Sequence, residues 1–246
     1  MKVSERTAAA AISADRAAWD IDAAEADQVC AGQANTGDVL PAAVPALGDA
    51  RFRRLLGAEG WAALPVQVRA RFAKRLSPGE MIVYRGRVAL TELSRAGRVL
   101  AFLARAIGAP LPLRNGSTGP AAVLVTEDER FGGQSWLRIY GEEGRRPQAI
   151  HSAKCFRGPT GLEENVGYGI GMALALSVEE GALVFRSDHY FLKLAGLRLR
   201  WPRLLEPGAM EITHRDEGPG RFSFRLSLTH PWLGRMVHQL AYFTDA

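Results

Sequence analysis

Cysteine is scarce in this chain: only Cys30 and Cys155 occur among 246 residues, far apart and without a CxxC partner. That excludes a disulfide framework and a zinc knuckle. Long apolar runs are missing too. No stretch approaches the ~20 residues that a bilayer-spanning helix requires, and Asp15, Asp20 and Asp22 interrupt the alanine-rich start before a signal-peptide core can form. GxSxG, Walker A, HxH and HExxH spacings are all absent, so no familiar nucleophile, phosphate cradle or zinc pair is written into the chain. These absences predict a cytoplasmic protein with reduced thiols, no metal and no cofactor.

Charge of one sign is short in the larger part of the chain. The first 46 residues carry three basic and seven acidic side chains, whereas the remaining 200 carry 28 basic and 19 acidic. The acidic segment 1–46 is rich in alanine and poor in large apolar residues, a composition that cannot bury enough surface to offset its ordering entropy. It is expected to be a disordered tail, with a single packed domain over 47–246. The domain's positive charge has no nucleic-acid recognition motif beside it, so nucleic acid is not an expected partner.

Apolar spacing then sorts the domain into elements. Phe52, Leu55 and Leu56 recur at helical spacing before Gly57, and Pro65 suits the first turn of a second helix running through Val68 and Phe72 to Leu76. A strand is expected over 79–93. The segment 94–107 follows as an amphipathic helix capped by Ser94 and ended by Gly108, with Arg95, Arg98 and Arg105 on its outer side and Phe102 among them. From residue 120 onward, short alternating segments separated by Gly-bearing turns predict strand after strand. The fold class is α+β and mainly β: a curled antiparallel sheet or barrel-like meander of about eight to ten strands, with two or three short helices near its start.

The run NVGYGIGMALALSV, residues 165–178, tests whether Gly167, Gly169 and Gly171 cradle a nucleotide. A dinucleotide loop needs GxGxxG followed by a helical period. Here the spacing is GxGxG, and the residues from Val166 to Val178 alternate strictly, bulky on one parity and slim on the other. The run is therefore read as one long strand with a nearly bare face carrying Gly167, Gly169, Gly171 and Ala173. Such a face serves close approach by another group, packing by a large aromatic, or the floor of an apolar cavity.

Strand parity also places all five histidines on apolar stripes. His189 shares its parity with Leu183, Phe185 and Phe191, and His151 with Ala149, Ala153 and Cys155. A buried imidazole needs a hydrogen-bond partner. His189 and His151, with Asp188 and Glu164, are thus the candidate acid–base groups. Candidate ligand contacts are Gly167, Gly169, Gly171, Ala173 and Tyr190, joined by Arg200 and Trp201 from the cationic segment LRLRWPRLL.

Three segments together, RLLGAEGWAALPVQVRARF, LRLRWPRLLEPG and GRFSFRLSLTHPWLGRMVHQLAYF, resemble the bacterial family called domain of unknown function 4166 (DUF4166) over about residues 48–245. The resemblance implies a domain start near 47 and an accessory or small-molecule-associated role. Because members occur alone or fused to a Rossmann-type oxidoreductase domain, it also implies such an enzyme as a partner. The leading expectation is a domain that binds an apolar or amphipathic small molecule between the curled sheet and the 94–107 helix. Alternatives are a cofactor-free isomerase or cyclase using a His/carboxylate pair, and an adaptor that meets a membrane surface or a protein through the basic helix.

Overall fold

The computed structural model describes residues 49–245 except 78, 109, 129–131 and 196; the tail expected at 1–46 lies outside them. Two helices come first, α1 (Arg51–Ala63) and α2 (Val66–Phe72). Gly57, at φ 72° and ψ 175°, breaks the helical path within α1, a conformation that costs glycine little. Pro65 caps α2, which ends at Phe72, short of the expected Leu76. Strand β1 (Met81–Leu93) leads into α3 (Arg95–Leu103) and a 3₁₀ turn, Ala104–Ile107. The strands that follow are β2 (Gly119–Asp128), β3 (Gly133–Tyr140), β4 (Gln148–Cys155), β5 (Glu163–Gly167) and β6 (Ile170–Glu179). After them come β7 (Ala182–Leu194), β8 (Leu197–Arg200), a 3₁₀ turn Arg203–Leu205, β9 (Ala209–Gly218), β10 (Arg221–His230) and β11 (Gly234–Thr244).

Every pairing is antiparallel. Sequence neighbours pair from β1 to β7, β7 continues to β9, β10 and β11, and β11 pairs back onto β1. Ten strands therefore close a barrel, which removes the exposed edges that an open meander would leave. The eleventh, β8, pairs with the far half of β7 and extends the wall beyond the barrel rim. Its four residues are too few to display a period in the sequence.

The run 166–178 is a hairpin, not one strand. β5 and β6 are joined at Tyr168–Gly169, where Gly167, Tyr168 and Gly169 have φ of 121°, 50° and 78°. Two successive positive φ values are what a two-residue hairpin turn in a right-twisted ribbon requires. A two-residue turn by itself reverses side-chain parity, but the bulge between Asn165 and Gly167 reverses it again, so the alternation mimics a continuous strand.

One end of the barrel is plugged. Phe52 of α1 meets Phe72 of α2 edge-on at 5.0 Å and Phe156 at 4.9 Å, and both helices pack on Phe185. Arg71 ties α2 to the chain end through Asp245 and to β9 through Asp216, with its guanidinium 4.5 Å over the Phe222 ring. At the other end α3 crosses the rim. The Ser94 Oγ caps it by accepting from the Gly97 N–H at 3.1 Å. A Cβ on Gly97 would strike the Met236 carbonyl of β11, which is backbone and cannot swing aside. Gly97→Val is expected to push α3 off the rim and cost about 1–3 kcal/mol; urea denaturation would measure it, and an unchanged midpoint would refute this packing.

Candidate functional site

The inward parity of the barrel encloses a cavity of about 340 Å³. Its walls are apolar over most of their extent, including Val123, Ile150, Met172, Phe185, Met210, Leu226 and Phe243. Toward the rim it is lined by Leu103, Ile107, Leu111, Val166, Ile170 and Trp201. Leu103 is 63% exposed while lining it, which places the opening at the α3 end.

Midway down, three adjacent strands each contribute one inward ionisable group. Arg138 (β3) donates through Nη2 to Glu164 Oε1 of β5 at 2.9 Å and to Ser152 Oγ of β4 at 3.0 Å. Lys154 (β4) lies 3.0 Å from Glu164 Oε2 and 4.7 Å over the Trp136 ring. Lys154 and Glu164 are almost wholly buried, at 3% and 2% exposure. Burial pushes the Glu164 carboxyl up, but Lys154 and Arg138 outweigh it and hold the group at about 2. Burial also weakens the Lys154 ammonium, against the pull of Glu164. Two cations thus share one carboxylate in an apolar chamber, which leaves donors and positive charge in excess.

The sequence-derived candidates divide between two sides of the wall. Glu164, Tyr190 and Trp201 line the cavity, with the Gly171 backbone beside them. Tyr190 Oη donates to the Gly208 carbonyl at 3.0 Å. His151 faces outward and is exposed, its Nε2 2.7 Å from Ser135 Oγ. His189 also lies on the outer side, because a bulge in β7 between the Ser187 and His189 pairings reverses parity: Phe185 lines the cavity while His189 and Phe191 do not. The stripe that joined His189 to Phe185 in the sequence is therefore cut. His189 Nδ1 is 2.6 Å from Asp188 Oδ2, and its Nε2 is 3.0 Å from Arg198 Nη2.

The slim face of β6 points the same way, away from the cavity. Phe191 lies over it, so closely that a Cβ on Gly171 would come within 2.6 Å of the ring, and Ala173 is fully buried beneath the same covering. Arg198 and Lys193 stack on Phe191 at 4.1 and 4.8 Å, and both pair with Glu163 at 3.0 Å. Close packing by a large aromatic is what these small residues serve. Gly167 and Gly169 occupy the turn, and Arg200 is exposed on β8.

Arg138, Ser152 and Lys154 escaped the sequence reading, although a signal existed. Arg138 shares parity with Trp136 and Tyr140, and Lys154 with Ile150 and Ser152, so each is a cation set in an apolar stripe. Among the described residues no three His, Cys, Asp or Glu side chains converge in metal-ligand geometry. No helix among them is long and apolar enough to cross a membrane.

These features define the structural class, a closed ten-stranded antiparallel β-barrel with an apolar interior and a buried ion cluster. The chain belongs to the family described as domain of unknown function (DUF4166), whose profile matches residues 64–243, from just before α2 into β11. No curated protein and no solved structure matches it.

Proposed function

We propose that this protein binds an amphipathic small molecule inside the barrel, its apolar body against the strand walls and an acceptor-bearing end against Arg138, Ser152 and Lys154. The observation that carries this reading is the surplus of donors in an otherwise apolar chamber. Sites for small molecules are mostly apolar, with a few polar groups that fix orientation. A chamber of about 340 Å³ lies at the lower end of the usual size range. An acceptor, and above all an anion, placed near Arg138 relieves a charge that the single carboxylate leaves half-compensated. A Rossmann-type oxidoreductase that produces or consumes the ligand is a partner consistent with this role.

The His189–Asp188 pair does not join this site, since it stands on the other side of the wall. Glu164 does, and its ionised state suits it to hold cations in place rather than to donate a proton.

The test uses anilinonaphthalene sulfonate, an apolar dye with one anionic end. It is expected to bind and brighten with the native chain. Leu226→Trp, which fills the chamber, should weaken it by about tenfold or more. Arg138→Met should do the same, as loss of a charge-assisted hydrogen bond predicts, while leaving a neutral apolar dye such as pyrene unaffected. Undiminished sulfonate binding by the folded Leu226→Trp variant would refute the site. Native mass spectrometry of freshly purified chain should also show a retained small molecule lost on extraction.

A further inference from the structure

The rim around the cavity opening gathers most of the exposed large apolar side chains. Of thirteen such residues among those described, eleven stand at this end, and the exceptions, Val66 and Met81, stand apart at the other. They come from four stretches of sequence, 99–103, 168, 194–205 and 232–233. The α3 helix supplies Val99, Phe102 and Leu103, the last two 66% and 63% exposed. Tyr168 tips the β5–β6 turn, and Leu194, Leu197 and Leu199 cover the β7–β8 hairpin. Leu204 and Leu205 follow on the 3₁₀ turn, and Trp232 with Leu233 caps the β10–β11 turn.

Backbone contacts join these segments into one surface. Gly97 sits against the Met236 carbonyl, and Gly167 against that of Ile107. The Lys193 N–H donates to the Gly169 carbonyl at 2.7 Å, and Gly208 lies against the Thr229 carbonyl. Single exposed leucines are ordinary, but a contiguous cluster of this kind marks an interaction site.

Its charge chooses the partner. Arg95 and Arg98 on α3, Arg105 on the 3₁₀ turn that follows it, Arg200 at the end of β8 and Arg203 on the next 3₁₀ turn are exposed. None of these five makes a salt bridge within 4 Å among the described residues, though Arg200 and Arg203 lie near enough to Asp188 to favour its carboxylate, which leaves the three arginines of the α3 side unopposed. A second copy of the chain would oppose this cationic rim with the same charge. An anionic lipid surface complements it, and the aromatic residues Phe102, Tyr168 and Trp232 belong to the types favoured at the lipid–water boundary.

We propose that the barrel's open end docks on anionic bilayers, seating the cavity mouth against the lipid. This goes beyond binding of a small molecule and can fail separately from it.

The experiment is flotation of the full chain with vesicles of phosphatidylcholine alone or mixed with phosphatidylglycerol. The chain is expected to float with the mixed vesicles, to remain largely unbound with phosphatidylcholine, and to be released by high salt. Arg98→Glu with Arg203→Glu should weaken binding by at least about tenfold, and Phe102→Ser with Leu204→Ser similarly. The control pair Val66→Ser and Met81→Ser should float like the native chain. Trp232 emission should shift to the blue on binding, a shift absent from Trp232→Phe, with each variant's fold checked by its thermal midpoint. Absence of flotation with either vesicle, or salt-insensitive flotation equal in all variants, would overturn the proposal, whatever the dye experiment gives.

Discussion

Glu164→Gln is expected to destabilise the protein by about 3–5 kcal/mol near neutral pH, the cost of leaving a buried charge without its partner. Lys154 is 3% exposed and lies 3.0 Å from the Glu164 carboxylate, and Arg138 donates to the same group. Glutamine keeps the shape and one acceptor but removes the charge that offsets two cations. Lys154→Met in the same chain should recover most of the loss, because an apolar side chain of similar length suits the Trp136 and Phe185 rings that the ammonium now overlies.

The pH dependence follows in sign. The carboxyl has an ordinary value of 4.5 and is held at about 2 when folded, so it binds its proton more readily in the unfolded chain. Its contribution is complete above about 4.5, declines as pH falls from there toward 2, and amounts to about 3 kcal/mol. Glu164→Gln should erase that part of the acid limb. It should also free both cations, so that anilinonaphthalene sulfonate raises the variant's urea midpoint more than the native chain's. A variant within 1 kcal/mol of native stability would show that the cluster is not held together as described.

Why the barrel was legible in the sequence, and the chamber only partly so, comes down to what a period can report. Alternation in GEMIVYRGRV or RFSFRLSLTH marks a strand because each such face is uniformly bulky or polar, and repeated Gly-bearing turns imply closure. Parity, however, survives where a two-residue turn and a one-residue bulge fall together, which is why Tyr168–Gly169 is hidden inside an apparently unbroken strand. It fails at an odd insertion, and the bulge in β7 therefore carried His189 to the side opposite Phe185. Which of two alternating faces points inward is not a local property at all. The bulky face of β6 turned inward and the slim face met Phe191 from the next strand, a choice that depends on the other nine strands. Arg138 and Lys154, charged groups set on apolar stripes, are a stronger anomaly in the sequence than the histidines, which can be buried neutral.

His214 supplies the second large effect, an acid sensitivity that begins at higher pH than that of Glu164. Its ring is 1% exposed, stacked on Phe222 at 4.9 Å and met edge-on by Phe72 at 5.0 Å and Phe224 at 4.9 Å. Burial pushes the imidazole from 6.5 down to about 3, and the Arg71 guanidinium adds to the shift while Asp245 opposes it. Between those values the unfolded chain carries the proton and the folded chain does not, so stability rises with pH across that window. Falling from pH 7 to 4.5 should cost about 3 kcal/mol through this residue alone. His214→Phe keeps an aromatic ring in the same stack and is expected to change stability at pH 8 by less than about 1.5 kcal/mol. Its urea midpoint should then decline less from pH 6.5 to 5 than the native chain's, the remaining slope including that of His238, whose imidazole is also pushed down by burial, while both share the lower limb set by Glu164. Parallel curves for the two proteins down to pH 5 would mean that the folded chain accepts the proton at His214 without penalty, and the plugged end of the barrel would then have to be wet.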